Sequence, residues 1–479
     1  MERLKRTGTL EPVFSGDIKE SRIGIGFEKL DRAVFDPEKA YDKIAAAGAK
    51  WARIQSGWAR CEREAGVYDF SWLDSIVDNL IARGIRPWMC LCYGNPIYTE
   101  AAAGSFGAVG YTPVSTERET NAWLAYVRAT VAHFKGRVEH YEIWNEPDCF
   151  YAWRHTANDD RTHEQHLKNA VEYGEFAIKT SIAIKEIYPE AKVIGFAFGH
   201  TEDLEWAELA LSTGLYRHID YASFHCYSPD ENKRRDRALG FKRLLASYEP
   251  RIGLIQGETG AQSRSDGRGA MAGFAWTPER QTKALLRGLV TDLAVGVEFT
   301  SYFSTMDMIE AHSGRLGDRA SYLDYGYFGI IGCEFDAEGI ASGGYYEKPS
   351  YFAYSALVSL LHRALPASIG YERLCLESLR VNGYDCGAES VRIEGFALSD
   401  GRHALVYWNS VDLLTSTYSG TLSLEIHGKL DTVSLIDLSD GGIYALPEQM
   451  TEISASGVRL KNLPLTDSPL AIVFNSKEM

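Results

Sequence analysis

Eight short apolar runs alternate with longer amphipathic stretches between residues 23 and 302. Each run has the length and composition of a strand buried on both faces, and each stretch has the spacing of a helix that packs on one side. The predicted strands are 23–27, 51–55, 86–92, 138–144, 191–197, 219–224, 252–256 and 297–302. Repeated strand–helix units require a parallel sheet with right-handed crossovers, and eight of them fit a closed (β/α)8 TIM barrel.

The pattern changes after about residue 365, where short alternating stretches are separated by turn residues. This spacing is typical of an antiparallel β-sandwich. We therefore predict a barrel over residues 21–364 and a C-terminal β-sandwich domain over residues 365–479. Residues 1–20 are expected to pack on the sandwich, because the barrel has no place for them.

The formal net charge of -15 argues against nucleic acid or an anionic membrane as a partner. No run approaches the roughly 18 apolar residues needed to span a bilayer, and no apolar run follows the basic N-terminal residues as in a secretory signal. Several of the eight cysteines lie inside apolar runs, where a free thiol behaves as a small hydrophobe. We expect reduced thiols and a cytoplasmic protein.

Two glutamates follow predicted strands at the face where barrel enzymes place their active groups. Glu146 lies in a Trp-Asn-Glu-Pro segment after the fourth strand, and Glu258 lies in a Gly-Glu-Thr-Gly segment after the seventh. Glycoside hydrolysis needs two carboxylates, which lie roughly 5 to 5.5 Å apart in a retaining enzyme. The pattern predicts Glu146 as acid/base and Glu258 as nucleophile. The alternative for each is an ordinary loop carboxylate in a surface salt bridge.

The Asn145-Glu146-Pro147 motif after the fourth strand, with a glutamate ending the seventh, resembles glycoside hydrolase clan A. The most similar family is 39, the family of β-xylosidases and α-L-iduronidase. The preceding Trp144, the Lys-Pro pair at 348–349 before the last helix and the trailing sandwich are also similar. The resemblance covers the whole chain in layout.

The resemblance implies roles for four further residues. Asn145 would bind the sugar 2-OH, and Arg53, at the end of the second strand, would keep the nucleophile ionised. His225 and Tyr227 match the His-x-Tyr pair of the clan, so that Tyr227 would hydrogen-bond Glu258 and His225 would line the pocket. The alternative for Arg53 is a pairing with any acid of the barrel interior.

The chain departs from the clan at the end of the eighth strand, where a tryptophan often forms a sugar platform. Tyr302 and Phe303 stand here instead. Flat rings suit the apolar faces of sugars, so aromatic residues near strand ends are candidate binding groups, with core packing as the alternative. The substrate-binding candidates of this kind are Trp58, Trp153, Trp276 and Tyr302.

Motifs for other chemistries are incomplete. The glycine pair at 24–26 lacks the third glycine of a dinucleotide loop, and the histidines at 163–166 are one residue short of zinc-protease spacing. We expect no metal and no cofactor. The sequence favours an exo-acting retaining glycosidase for a β-linked, or equivalent, glycoside of a small soluble oligosaccharide.

Two alternatives stay open: a non-catalytic sugar-binding barrel and a transglycosylase that uses the same glutamate pair. The residues leave the sugar, its linkage and the oligomeric state undetermined, although the sandwich can serve as an interface in a homo-oligomer.

Overall fold

Eight parallel strands close into a barrel in the computed structural model, which describes residues 4–156, 158–310, 324–337, 339–378 and 390–476. The barrel strands are β2 (Ile23–Gly26), β3 (Trp51–Gln55), β4 (Arg86–Leu91), β5 (His140–Ile143), β6 (Lys192–Phe198), β7 (Tyr221–His225), β8 (Gly253–Thr259) and β9 (Thr300–Tyr302). They correspond in order to the eight predicted strands, and the predicted barrel is confirmed.

Helices follow the strands around the outside of the barrel. They are α1 (Tyr41–Ala46), α2 (Trp58–Cys61), α3 (Ser71–Ala82), α4 (Glu117–Phe134), α5 (His163–Ile187), α6 (Leu204–Ser212), α7 (Glu231–Tyr248), α8 (Pro278–Val295) and α9 (Pro349–Leu361). Thr116 and Glu119 form a capping box at the start of α4. Within the described part of the chain, none of these helices has the length and apolar character to cross a membrane.

The alternation of side chains along each strand divides the interior of the barrel from the core beneath the helices. On β3, Ala52 and Ile54 belong to the large core that the helices cover. Trp51 belongs to a separate apolar cluster inside the barrel, and Arg53 bonds to carboxylates of other strands. The positions that face inward therefore change from apolar to charged along the strand.

Two antiparallel sheets follow the barrel, as predicted. The larger sheet has the order β1 (Lys5–Thr9), β20 (Gly442–Ala445), β19 (Leu430–Asp437), β23 (Leu470–Ser476), β17 (His403–Asn409), β16 (Val391–Ala397) and β14 (Leu365–Pro366). The smaller has the order β15 (Tyr371–Ser378), β18 (Ser419–His427), β22 (Gly457–Thr466) and β21 (Thr451–Ile453). Leu405 and Ile472 of the first sheet share a buried core with Leu422 and Leu460 of the second.

The N-terminal strand β1 pairs with β20 of the C-terminal sheet. On the other side, Arg287 of α8 joins the barrel to this sheet, since its guanidinium donates to the carbonyls of Asn409, Val411 and Asp467. The division of the chain at residues 20 and 364 stays a prediction.

The long segment after β9 contains two pairs of antiparallel strands, β10 (Met308–Ile309) with β11 (Tyr325–Gly326) and β12 (Ile331–Phe335) with β13 (Ala341–Glu347). Residues 311–323 of this segment lie outside the described residues.

Candidate active site

A cavity of about 410 Å³ lies at the C-terminal ends of the barrel strands. Four predicted site residues line it: Asn145, Glu146, Tyr227 and Glu258. A cavity of this size accommodates a small ligand. A larger cavity, about 750 Å³, lies near the N-terminal ends of β6–β8 and is lined by Lys192 and other exposed charged groups, so volume alone does not locate the site.

Glu146 follows β5 in a sharply turned segment. Trp144 and Glu146 both have left-handed backbone angles, with φ of 66° and 49°, which are uncommon for residues other than glycine. Hydrogen bonds from Trp144 N to the Leu91 carbonyl (3.1 Å) and from Glu146 N to the Ala197 carbonyl (3.0 Å) hold this turn between the neighbouring strands. Strain of this kind persists only where the surroundings fix it, and here it positions a carboxyl at the cavity wall.

The Glu146 carboxyl has two partners. His225 Nδ1 lies 2.9 Å from Glu146 Oε1. The hydroxyl of Tyr151, a half-exposed residue at the cavity rim, donates to Oε2. With an 11% exposed side chain, Glu146 is reachable from the cavity but held by its neighbours.

Glu258 lies near the end of β8, and its carboxylate accepts one hydrogen bond from an arginine and one from a tyrosine hydroxyl. Arg53 Nη1 donates to Oε2 at 2.8 Å, and the Tyr227 hydroxyl donates to Oε1 at 2.7 Å. Burial alone would raise the pKa of Glu258, but His225, Arg53, the Tyr227 hydrogen bond and Lys29 outweigh it, and the pKa lies below its ordinary value. The carboxyl is therefore ionised at neutral pH, as a nucleophile must be.

The two carboxyls lie close together. One carboxylate oxygen of Glu146, one of Glu258 and a ring nitrogen of His225 all lie within 4.8 Å of one another. His225 Nδ1, which hydrogen-bonds Glu146, is 3.9 Å from Glu258 Oε2. Burial lowers the pKa of His225, but the two carboxylates more than compensate and raise it.

Arg53 connects the site to the interior of the barrel. The guanidinium is fully buried and donates from Nε to Glu142 (2.7 Å), from Nη1 to Glu258 and Glu28, and from Nη2 to the Asn145 side-chain carbonyl (2.7 Å). Because the Asn145 carbonyl is occupied by Arg53, its amide nitrogen is the group left to donate into the cavity.

Several cavity residues escaped the sequence-based prediction. Glu28 and Lys29 follow the first barrel strand, Gln55 ends the second, and Arg32 lies in the turn after the first. The position rule that identified Glu146, a polar residue just past a strand, applies equally to Glu28 and Lys29. No recognisable motif surrounds them, and this is why they were missed.

The structure brings none of the four candidate aromatic platforms to the cavity, contrary to the expectation. All four are at most 3% exposed. Three indoles are engaged elsewhere: Trp58 donates to Glu62, Trp153 to Glu172 and Trp276 to the Met271 carbonyl, while the Tyr302 hydroxyl faces the Ala261 backbone.

Phe303 and Phe328 line the cavity instead, with ring centroids 5.3 Å apart at an angle of 64°. Phe303 follows Tyr302, the last residue of the eighth barrel strand, and the ring of Phe303 rather than that of Tyr302 lines the cavity.

A second polar cluster lies on the rim, formed by Asp148, Cys149 and His200. The Asp148 carboxylate already accepts hydrogen bonds from the Gly199 and His200 backbone amides and from His200 Nδ1. The hydrogen bond from Asp148 raises the pKa of His200 to about 9. These contacts satisfy the carboxylate with protein donors, and we assign the cluster a structural role in the rim.

The fold and the site define a (β/α)8 barrel with paired carboxylates at the ends of the fourth and seventh strands, the class to which glycoside hydrolase clan A belongs. Residues 55–239 match the family model for glycosyl hydrolases family 39. This match confirms the resemblance to family 39. The matched segment contains Glu146, Asn145, His225 and Tyr227.

A curated protein is similar in sequence to part of this chain. A β-xylosidase of Geobacillus stearothermophilus is 28% identical over 172 residues, which are 34% of this chain and 31% of that protein. The chain thus matches about a third of the length of this curated relative.

Among solved structures, a family 39 glycoside hydrolase from Bacteroides cellulosilyticus WH2 has a TM-score of 0.61 at 16% identity, covering 95% of this chain and 81% of that one. A monomeric β-xylosidase from Caulobacter crescentus CB15 has a TM-score of 0.58 at 18% identity, covering 99% and 98%. At these identities the likeness establishes a shared fold.

Proposed function

We propose that this chain is a retaining glycoside hydrolase that acts by double displacement, with Glu146 as acid/base and Glu258 as nucleophile. The main support is a pair of carboxylates that line the cavity at the ends of the fourth and seventh barrel strands. One oxygen of each lies within 4.8 Å of the other. Such closeness suits direct attack by one carboxylate. An inverting enzyme would need about 6.5 to 9.5 Å between its carboxyl groups to admit a water.

The first step is glycosylation of the enzyme. Glu258, ionised through Arg53 and Tyr227, attacks the anomeric carbon and forms a glycosyl ester. The bond to the leaving oxygen breaks as Glu146 donates its proton to that oxygen. The hydroxyl of Tyr151 and the ring of His225 hold the Glu146 carboxyl at the cavity wall for this transfer.

The second step is hydrolysis of the glycosyl ester. Glu146, now ionised, removes a proton from a water that attacks the anomeric carbon. The ester bond to Glu258 breaks, the carboxylate returns to Arg53, and the sugar leaves with its original anomeric configuration. The amide nitrogen of Asn145, oriented by the hydrogen bond from Arg53, donates to the sugar 2-OH, an interaction that strengthens in the transition state.

A small substrate and exo action fit the size of the cavity. About 410 Å³ accommodates one or two sugar rings rather than a long chain. The similarity to a β-xylosidase makes a nitrophenyl β-xyloside the first compound to try. A cytoplasmic location agrees with the free cysteines at 61, 90, 92, 149, 226 and 333. Association of copies through the C-terminal sheets stays a prediction that light scattering would test.

The decisive experiment is a screen of nitrophenyl glycosides followed by NMR of the first-formed product. We expect turnover of a β-glycoside and release of the β-anomer before mutarotation. Release of the α-anomer would overturn retention while leaving hydrolysis intact. Tight sugar binding by calorimetry, with no turnover across the panel, would favour the non-catalytic sugar-binding barrel instead.

Transglycosylation uses the same covalent intermediate, so it is distinguished by products alone. We expect free sugar to dominate even at high acceptor concentration. Oligosaccharide products in excess of free sugar would identify the chain as a transglycosylase.

A further inference from the structure

A buried carboxyl beside the proposed nucleophile has no part in the mechanism above. Glu28 follows β2 and is 1% exposed. Its Oε1 lies 3.3 Å from Arg53 Nη1, the same nitrogen that donates to Glu258. Among the residues that the structure describes, Oε2 has no hydrogen-bond partner. A Cβ on Gly26 would lie 2.3 Å from this oxygen, so glycine at position 26 makes room for the carboxyl to turn back into the barrel.

The charges around Arg53 do not balance if every group is ionised. One guanidinium faces three carboxyls, those of Glu28, Glu142 and Glu258. Burial raises the pKa of Glu28 to about 8; Arg53 opposes the rise and Glu258 adds to it. A neutral Glu28 leaves the positive charge of Arg53 to the other two carboxylates.

Other charged groups surround the same region. From β7, His225 carries positive charge toward Glu258, and Lys29, next to Glu28 in the chain, is held by an ion pair with Glu310. Neither donates to Glu28. Arg53 is the one cation that donates a hydrogen bond to Glu28 among the described residues.

We propose that Glu28 is a positioning residue for Glu258, acting through Arg53 Nη1, and that its ionisation sets the alkaline limit of the glycosylation step. This inference rests on the proposed function. While neutral, Glu28 accepts a hydrogen bond from Arg53 but does not compete with Glu258 for the positive charge of the guanidinium. When it ionises, a second carboxylate draws on the same nitrogen and repels Glu258, so that the nucleophile is held less firmly.

The activity test uses a 2,4-dinitrophenyl glycoside of the sugar that the screen identifies. This leaving group departs without a proton, so the glycosylation step no longer depends on proton donation by Glu146. We expect kcat/KM of the native protein to fall as the pH rises through about 8. Glu28→Gln, which keeps the shape but cannot ionise, should lose this alkaline limb when each profile is scaled to its own maximum.

Glu139→Gln, on the exposed surface before β5, serves as the matched control and should keep the alkaline limb. If Glu28→Gln falls at high pH in the same way as the native protein, the proposal is overturned.

A second measurement needs no substrate. In the unfolded chain Glu28 ionises near its ordinary pKa of 4.5, whereas in the folded protein it keeps its proton until about pH 8. Between these values the unfolded chain binds fewer protons, so Glu28 lowers stability progressively as the pH rises, and above about pH 8 the loss is constant. The Tm of Glu28→Gln minus that of the native protein should therefore grow over this range and then level off.

The outcomes separate the two proposals. A Tm difference that does not change with pH overturns the role of Glu28 while leaving glycoside turnover intact. Absence of turnover across the whole glycoside panel overturns the proposed function, and the inference about Glu28 falls with it.

Discussion

The interior of the barrel has two layers of opposite character on the same strands. The layer toward the N-terminal ends contains Trp51, Trp88, Ile194, Ile255 and Phe299. The layer above it contains Arg53, Glu142 and Glu258, joined by buried ion pairs. Trp51 and Arg53 are two residues apart on β3, a rise of about 6.6 Å. Within that distance the barrel changes from an apolar core that contributes stability to a charged layer that contains the proposed nucleophile and costs desolvation.

Removing the proposed nucleophile from the charged layer should have the largest effect. Glu258→Ala should lower kcat/KM on every glycoside that the native protein cleaves by at least about 10⁴-fold, because the proposed covalent intermediate forms on the Glu258 carboxylate. Azide fills the vacated space and should restore part of the activity on an activated substrate. Initial rates with and without azide measure both effects.

Glu139→Ala, on the surface before β5, is the control for Glu258→Ala and should retain full activity. Full activity in Glu258→Ala itself would refute the assignment of the nucleophile.

Disrupting the apolar layer should lower the stability of the fold and leave kcat nearly unchanged. Phe299 stacks on Trp51 with centroids 4.7 Å apart and meets Trp88 edge-on at 4.9 Å. Phe299→Ala should reduce the free energy of unfolding by about 3–5 kcal/mol, since it leaves a cavity in a closed core. Urea denaturation measures this loss, and kcat of the protein that remains folded should stay near the native value.

The exposed Phe352 on α9 offers the comparison, and Phe352→Ala should change stability by less than about 0.5 kcal/mol. A large drop in kcat for Phe299→Ala, at temperatures where it is folded, would show that the two layers are coupled rather than separate.

Weakening the charged layer without removing a carboxylate should shift the acid limb of the pH profile of kcat/KM. In the proposed mechanism glycosylation needs ionised Glu258, so kcat/KM should fall as the pH drops through the pKa of Glu258, which lies below its ordinary value. Arg53→Lys keeps the charge but loses the planar fork that serves several acceptors at once. The acid limb of kcat/KM should then move to higher pH by about one unit.

Arg128→Lys alters an exposed pair with Glu186 and should leave the acid limb in place. An unchanged acid limb in Arg53→Lys would mean that Arg53 does not hold the charge of Glu258.

The layout of the barrel was predictable because each strand carries its own local signal. Runs of apolar residues bounded by polar ones locate strands whatever the tertiary contacts, and the Trp-Asn-Glu-Pro motif places Glu146 at one strand end. Glu258 followed from its position at the end of the seventh predicted strand. These inferences depend on neighbouring residues or on the number of strands, and both can be read from the sequence.

The aromatic residues were less predictable, because the direction of a side chain just past a strand depends on how the loop folds. Trp153 lies in a loop, yet it turns inward against Trp144 and donates to Glu172. Phe303, beside Tyr302 in sequence, faces the cavity. A shift of one residue reverses the facing of a strand residue, and no local pattern specifies which of two adjacent rings points to the ligand.

Tyr302 and Phe303 therefore test which of two adjacent rings belongs to the core and which belongs to the cavity. Phe303 lines the cavity and packs against Phe328, whereas Tyr302 is 2% exposed and its hydroxyl donates to the Ala261 carbonyl at 3.4 Å. Phe303→Ala should raise KM about five- to ten-fold with a smaller change in kcat, because a ring that contacts a sugar contributes about 1 kcal/mol to binding. Tyr302→Phe should leave KM within about two-fold, since the lost hydrogen bond is long and faces the backbone. Steady-state kinetics of both variants decide the matter: a native KM in Phe303→Ala would show that its ring does not contact the sugar, and a raised KM in Tyr302→Phe would show that the Tyr302 hydroxyl contributes to binding.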